Sequence, residues 1–302
     1  MTVIETAGLG KRYKRQWALR DCDITVPAGE VAALVGPNGA GKTTLEELLA
    51  GLSAPTTGEI RLFGVEPPGS PQAQRRAGFV AQDAPLYRHL RVDSMLRLAR
   101  QLNFCWDARL VERRLADLAI RRDRKVGQLS GGQQAQLALT IALAAHPDLL
   151  VLDEPLARLD PVARHDFMSA LMVSVAEDGL SVLFSSHVVS ELERLSSYLI
   201  LLAAGTVRLC GNIAALLGQH ALLTGPAEHR DRLVAGLDVV HEQAAGRLVR
   251  LLARRGCPCA LPPGWQTAAP TLEELVLCYL REPAEGRGPG SPKRPVLRVA
   301  NA

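Results

Sequence analysis

"GPNGAGKTT", residues 36–44, follows the apolar run Val31–Val35 and leads into a helical pattern from Thr44 to Gly51. A strand, a glycine-rich turn and a helix in that order make a phosphate-binding loop of the form G-x-x-x-x-G-K-[ST]. Its members are Gly36, Pro37, Asn38, Gly39, Ala40, Gly41, Lys42 and Thr43, with Thr44 next in the helix. The glycines let the backbone fold around phosphate with its amides pointing inward. Lys42 brings positive charge to β and γ phosphates, and the Thr43 hydroxyl suits Mg²⁺.

A second continuous apolar run, Leu149–Leu152, ends in Asp153-Glu154-Pro155. A buried strand of this kind carries its two carboxylates to the C-terminal edge of a sheet, where open α/β sheets bind ligands. Asp153 is then placed to hold Mg²⁺, directly or through water, and Glu154 to polarise a water toward a γ-phosphate. Further strands are expected at Gly78–Val80, Val182–Phe184 and Tyr198–Leu202, alternating with helical patterns, so the fold class reads as α/β. From Arg91 to Arg124 the pattern is helical throughout, as an insertion in that domain. After Leu222, "LDVVHEQAAGRLVRLLA" predicts two strands around a turn at 244–246, and "TLEELVLCYL" a helix capped by Thr271. Four prolines fall in residues 283–302, which are expected to be disordered.

The 302 residues are enough for one large or two smaller domains, and 47% hydrophobic with 22% charged residues fits a globular chain. The most apolar stretches, 137–152 and 198–204, are interrupted by His146-Pro147-Asp148 or too short to cross a membrane. The N-terminal residues lack the apolar core of a signal peptide, which predicts a cytoplasmic chain. The net charge is +4, and from Arg281 onward five basic residues face two acidic ones. The body is therefore close to neutral, which argues against a nucleic-acid partner. Six cysteines show no CxxC pair, and Cys257-Pro258-Cys259 is too cramped for a tetrahedral site, so reduced thiols are expected.

Leu129-Ser130-Gly131-Gly132-Gln133 is a second glycine-rich stretch, opening another helix. Taken alone it fits two descriptions, a helix start capped by Ser130 and an anion site of freed backbone amides. Gln82 and His187 each follow a strand-like run and stand either in an ordinary loop or at an edge facing bound phosphate.

Together these residues resemble the ATP-binding subunits of ABC transporters over about residues 3–215. The phosphate loop, Gln82, "LSGGQ", "LLVLDEP", "LARLD" and "SSH" occur in that family's order and spacing. The resemblance implies a P-loop NTPase of the ABC ATPase type, with a mixed-sheet core and a helical subdomain at about 88–136. That cassette would occupy residues 1–221, followed by a small α+β region at 222–282 and a basic tail at 283–302. It also implies that Gln82 touches Mg²⁺ and reports on the γ-phosphate, and that His187 bonds the γ-phosphate. Tyr13 matches the aromatic that stacks on adenine, with Trp17 close by in sequence. Ser130, Gly131, Gly132 and Gln133 would meet ATP held by a second subunit, most simply another copy of the chain. The expected partners are that second subunit and a polytopic membrane subunit, met at the cytoplasmic face of the membrane, with Leu86, Tyr87 and Leu90 as candidate contacts.

Five positions depart from the family pattern. Ala157 and Arg158 in "LARLD" weaken the expectation that Asp160 communicates across a dimer. Glu46 and Glu47, in the first turn after Lys42, suit the helix dipole but add negative charge near phosphate. Gln134 stands where arginine is frequent. The catalytic groups all remain, so the resemblance implies an active ATPase. "PVARHDFMSAL", "SSHVVSELERLSSYLILLAAGTV" and "LEELVLCYL" resemble the branch that exports drugs, antibiotics, peptides or lipids. The alternative is an ABC ATPase outside transport, for example in iron–sulfur assembly.

Overall fold

The computed structural model describes residues 1–82, 86–157, 159–186, 189, 193, 195–254, 261–281 and 297–298. Three sheets occur among them. The largest has the order β14-β9-β8-β3-β7-β6-β5. Its centre is β3 (Val31–Val35), flanked in parallel by β7 (Ser181–Ser186) and β8 (Tyr198–Ala203). β6 (Leu149–Leu152) and β5 (Ala77–Val80) continue the parallel run, while β9 (Thr206–Asn212) turns back antiparallel on β8. Every residue of β3, β6, β7 and β8 is buried. That burial explains the unbroken apolar sequences of β3, β6 and β8, since a sheet covered on both faces has no polar side.

Register places the site. Val35 pairs with Ser186, Leu152 with Phe184 and Val80 with Leu152, all in parallel strands. The loop after β3, the carboxylates after β6, the end of β7 and Gln82 after β5 therefore meet at one sheet edge.

A three-stranded antiparallel sheet, β2-β1-β4, and helix α1 (Lys42–Leu49) cover one face. Its strands are β1 (Thr2–Tyr13), β2 (Gln16–Pro27) and β4 (Thr57–Leu62). Short α2 (Pro71–Arg76), with Ser70 as its N-cap, leads into β5. On the other face α5 (Gly131–Ala144) and α6 (Pro161–Asp178) bury Leu139, Leu143, Phe167 and Leu171 against the sheet. Burial of each such side chain contributes about 1.5–3 kcal/mol. Between β5 and β6, α3 (Val92–Leu102) and α4 (Ala108–Asp117) join the start of α5 around a separate cluster of Val92, Leu96, Val111, Leu115 and Leu137.

Beyond α7 (Ile213–Gly218) a four-stranded antiparallel sheet has the order β11-β12-β10-β13. The two strands expected around residues 244–246 are β11 (Asp238–Ala245) and β12 (Leu248–Arg254), paired across a tight turn. β10 (His220–Pro226) and β13 (Gln266–Ala268) complete it, with short α8 (Arg230–Val234) between β10 and β11. Gly225 is fixed by packing, because a Cβ there would lie 2.3 Å from the buried Trp265 ring. α9 (Leu272–Arg281) starts with the expected Thr271 cap: Glu274 N donates to Thr271 Oγ1 at 3.2 Å, and Thr271 N to Glu274 Oε2 at 2.8 Å. Its Leu272, Leu275 and Val276 belong to the same hydrophobic cluster as Leu199, Leu201 and Leu216. Of the basic tail, Leu297–Arg298 form β14, parallel to Leu209 and Cys210 of β9, and the rest lies outside the described residues. Cys22, Cys105, Cys210 and Cys278 are free thiols, and Cys257 and Cys259 fall outside the described residues. No described helix is long and apolar enough to cross a membrane.

Candidate nucleotide site

The loop between β3 and α1 turns on Gly41, the residue before the helix, whose φ of 104° is open to glycine but strained for other residues. A Cβ there would also lie 2.6 Å from the Ala18 carbonyl oxygen. Lys42 begins α1 almost fully buried, its Nζ donating to the Gly36 carbonyl at 2.8 Å and the Pro37 carbonyl at 3.3 Å. That ammonium lies 4.0 Å from Glu154 Oε1. Gln82 approaches the same carboxylate from the other side, Nε2 donating to Oε2 at 3.4 Å. The backbone of Glu154 is left-handed, with φ 43°, an uncommon and strained conformation for a side chain of this size.

Ser185, near the end of β7, links the two carboxylates. Its hydroxyl accepts from Glu154 N at 2.8 Å and donates to Asp153 Oδ1 at 3.2 Å. Sequence reading missed Ser185. Its signal is a polar residue directly after the apolar run Val182–Phe184.

An open cleft of about 820 Å³ lies over these groups. Tyr13, Gln16, Trp17, Pro37, Asn38, Gly39, Gly41, Lys42, Thr43, Thr44, Gln82 and Glu154 are all on its walls. Phosphate-loop residues and the Tyr13–Trp17 hairpin thus face one space, polar at one end and aromatic at the other. Lys11 Nζ stands 5.1 Å from the Tyr13 ring centre, and the Arg12 guanidinium 5.4 Å from that of Trp17. The site's candidate metal donors, from Thr43, Gln82 and the buried Asp153, are oxygen atoms throughout, the set that suits a hard cation such as Mg²⁺.

Ser130, Gly131, Gly132 and Gln133 are absent from the cleft's walls. Ser130 caps α5, its Oγ accepting from Gln133 N at 3.1 Å while Gln133 Oε1 accepts from Ser130 N at 3.2 Å. Ser130 and Gly131 are exposed, and a Cβ on Gly131 would meet nothing within 4 Å. The stretch is therefore a capped helix start that does not line the chain's own cleft. Asp160 caps α6, accepting from Val162 N and Ala163 N at 3.0 Å. His187 and Arg158 lie outside the described residues. Leu86 and Leu90 pack inward against neighbouring clusters, and Tyr87 remains exposed.

Glu46 departs most from its expected place. Expected in the first turn of the helix near phosphate, it is instead fully buried one turn into α1. Burial, reinforced by the nearby Asp153 charge, pushes its carboxyl pKa up to about 10.

The ABC transporter family profile matches residues 19–157. The chain is 37% identical over 210 residues to Nod factor export ATP-binding protein I of Cupriavidus pinatubonensis, covering 67% of this chain and 64% of that protein. It is 33% identical over 223 residues to the sulfate/thiosulfate import ATP-binding protein CysA of Synechococcus elongatus, covering 72% and 65%. Across the curated relatives matched here it spans 62% to 69% of their length. A solved ATP-binding subunit of an ABC transporter superposes with TM-score 0.65 at 29% identity, covering 72% of this chain and 93% of that one. A lysine starting α1 behind a glycine-rich loop, paired carboxylates at the end of β6 and these likenesses lead to one conclusion: the chain belongs to the ABC transporter family of ATP-binding proteins.

Proposed function

We propose that two copies of this chain close around two ATP molecules, hydrolyse them, and so drive export of a drug, antibiotic, peptide or lipid through a separate membrane subunit. The observation that carries this reading is the division of groups. Lys42, Thr43, Gln82 and Glu154 line the chain's own cleft, whereas Ser130–Gln133 do not, and Ser130 and Gly131 are exposed. A two-fold pair supplies each cleft with the other copy's Ser130, Gly131 and Gly132.

In this reading the amides of residues 36–43 and the Lys42 ammonium bind the β and γ phosphates, while Tyr13 stacks on the base. Thr43, Gln82 and Asp153 would hold Mg²⁺, which when bound would supply charge neutralisation at the phosphates. Glu154 accepts the proton of the attacking water, with Gln82 orienting its carboxylate and His187 the γ-phosphate. Hydrolysis adds charge between the copies and separates them, and the membrane subunit reads that opening. The chain then works as a peripheral protein on the cytoplasmic face of the membrane. Relatives named for Nod factor export support the outward direction, as does the small size of the β10–β13 sheet and its helix.

The test is purification of the tagged Glu154→Gln chain with ATP from its native cells, separating membrane from soluble fractions. Recovery in membranes with a multi-span protein is expected, and cells lacking the chain should retain the cargo. Recovery free of any membrane protein overturns transport. Failure of such cells to take up a nutrient, with no cargo retained, overturns export.

A further inference from the structure

The β1–β2 hairpin carries Lys11, Arg12, Lys14, Arg15 and Arg20. No carboxylate stands between Gly10 and Arg20, and without these five cations the net charge of +4 would be negative. Three of the five are engaged within the fold. Lys11 Nζ donates to Ser53 Oγ at 2.6 Å and to the Ala54 carbonyl at 2.7 Å. The Arg12 and Arg20 guanidiniums stand 5.4 Å and 5.9 Å from the Trp17 ring centre. Lys14 and Arg15 differ. Tyr13 pairs with Gln16, so these two residues form the hairpin's tip. Both are exposed, and neither makes an ion pair or a side-chain hydrogen bond among the described residues. Lys14 has φ 54°, a backbone that glycine, asparagine or aspartate adopts at less cost in such a turn. Turn geometry therefore does not account for two adjacent cations. Their place in the fold does: Tyr13 and Gln16, on either side of the tip, both line the nucleotide cleft. Charges of one sign at the rim of a cleft focus the field and raise the local concentration of an oppositely charged ligand.

We infer that the Lys14–Arg15 tip steers the polyanionic nucleotide into the cleft, setting how fast a triphosphate arrives rather than how firmly it is held. The inference rests on the nucleotide reading of the cleft and adds a kinetic element that stands outside the binding groups. Because steering scales with ligand charge, it favours the triphosphate over the diphosphate.

The test is stopped-flow binding of a fluorescent ATP analogue to the full-length chain, with Mg²⁺, across a range of salt concentrations. The variants are Lys14→Glu/Arg15→Glu, Lys14→Gln/Arg15→Gln and a control with the same change of charge, Arg100→Glu/Arg247→Glu. Arg100 and Arg247 are exposed and are not on the cleft's walls. The glutamate pair at the tip should lower the association rate constant by about tenfold at low salt, the lower end for electrostatic steering. The dissociation rate and the hydrolysis rate at saturating ATP should stay at wild-type values. The glutamine pair should show a smaller loss, and a fluorescent ADP analogue a smaller loss than ATP. In about 1 M salt, where charges are screened within roughly 3 Å, all the association rates should converge. If the glutamate pair does not fold, the glutamine pair is read in its place. An association rate unchanged in the tip variants overturns the inference, as does an equal loss in the control, which would trace the effect to net charge. A change confined to dissociation would make the tip a contact of bound nucleotide and overturn it too. So would an unchanged association rate together with lost binding to phosphatidylglycerol vesicles, which would assign the tip to the membrane surface. If the wild type does not bind the analogue at all, the nucleotide reading itself fails and the inference falls with it.

Discussion

Two regions among the described residues bury ionisable groups in opposite ways. Where α7, β10 and α9 meet, His220 is fully buried with both ring nitrogens partnered. Nδ1 donates to the Leu216 carbonyl at 2.7 Å, and the Tyr279 hydroxyl, 2.9 Å away, donates to Nε2. The Tyr279 oxygen accepts in turn from Arg254 Nε at 3.2 Å, and Arg254 Nη1 lies 3.4 Å from Asp238. Under the phosphate loop, by contrast, Glu46 has no donor and Glu154 holds a strained backbone. The first arrangement serves packing and closes on itself. The second is left incomplete in the chain alone, as expected where a ligand supplies missing charge and donors.

The sharpest way to break this contrast is to alter one group in each region. Glu154→Gln should lower the rate of phosphate release by about 10²–10⁴-fold, the range for loss of a general base, while ATP binding and the thermal midpoint survive. Tyr279→Phe should do the reverse. It strands His220 Nε2 and Arg254 Nε, costing about 1–3 kcal/mol in denaturant unfolding with little change in ATPase rate per folded molecule. If Tyr279→Phe instead stops hydrolysis in a folded protein, the two regions are coupled and the contrast fails.

Smaller effects refine it. Tyr13→Ala should weaken ATP binding by about 1–3 kcal/mol, by analogy with base stacking on aromatic platforms, with a smaller loss for Trp17→Ala. Equilibrium binding of a fluorescent analogue decides between the rings. The smallest effect concerns acidity. Burial holds the His220 pKa below its usual value, so the neutral form is the folded form. Between that depressed value and about 6.5, the unfolded chain binds a proton that the folded chain does not. Stability should therefore fall as the pH drops below about 6.5, and urea midpoints should lose part of that slope in His220→Gln.

The sequence made some of this legible and hid the rest for physical reasons. Strands buried on both faces, such as Leu149–Leu152, announce themselves as apolar runs, and the phosphate loop, the hairpin at 244–246 and the Thr271 cap carry local signals. The sheet β2-β1-β4 was not read from its sequence. Bulges between Thr6 and Leu9, and again between Leu9 and Lys11, break the alternation that would have revealed β1. In the site, the order of motifs located Lys42, Gln82 and Glu154 but not their mutual distances. Glu46 was unreadable because a charged residue in a helix is expected at the surface, and only the tertiary packing of α1 on the sheet shows otherwise.

The outward-facing Ser130 stretch has a genetic consequence. A chain defective at Ser130 and a chain defective at Glu154 should each be inactive alone. Mixed in one cell, they would form, under the proposed pairing, dimers in which both lesions fall on one cleft and leave the other whole. Two null alleles would thus complement each other, and a Lys42 allele should behave like Glu154 in the same cross. Two alleles within the cleft-lining group should fail to complement. Allele pairing then reports which residues share a cleft.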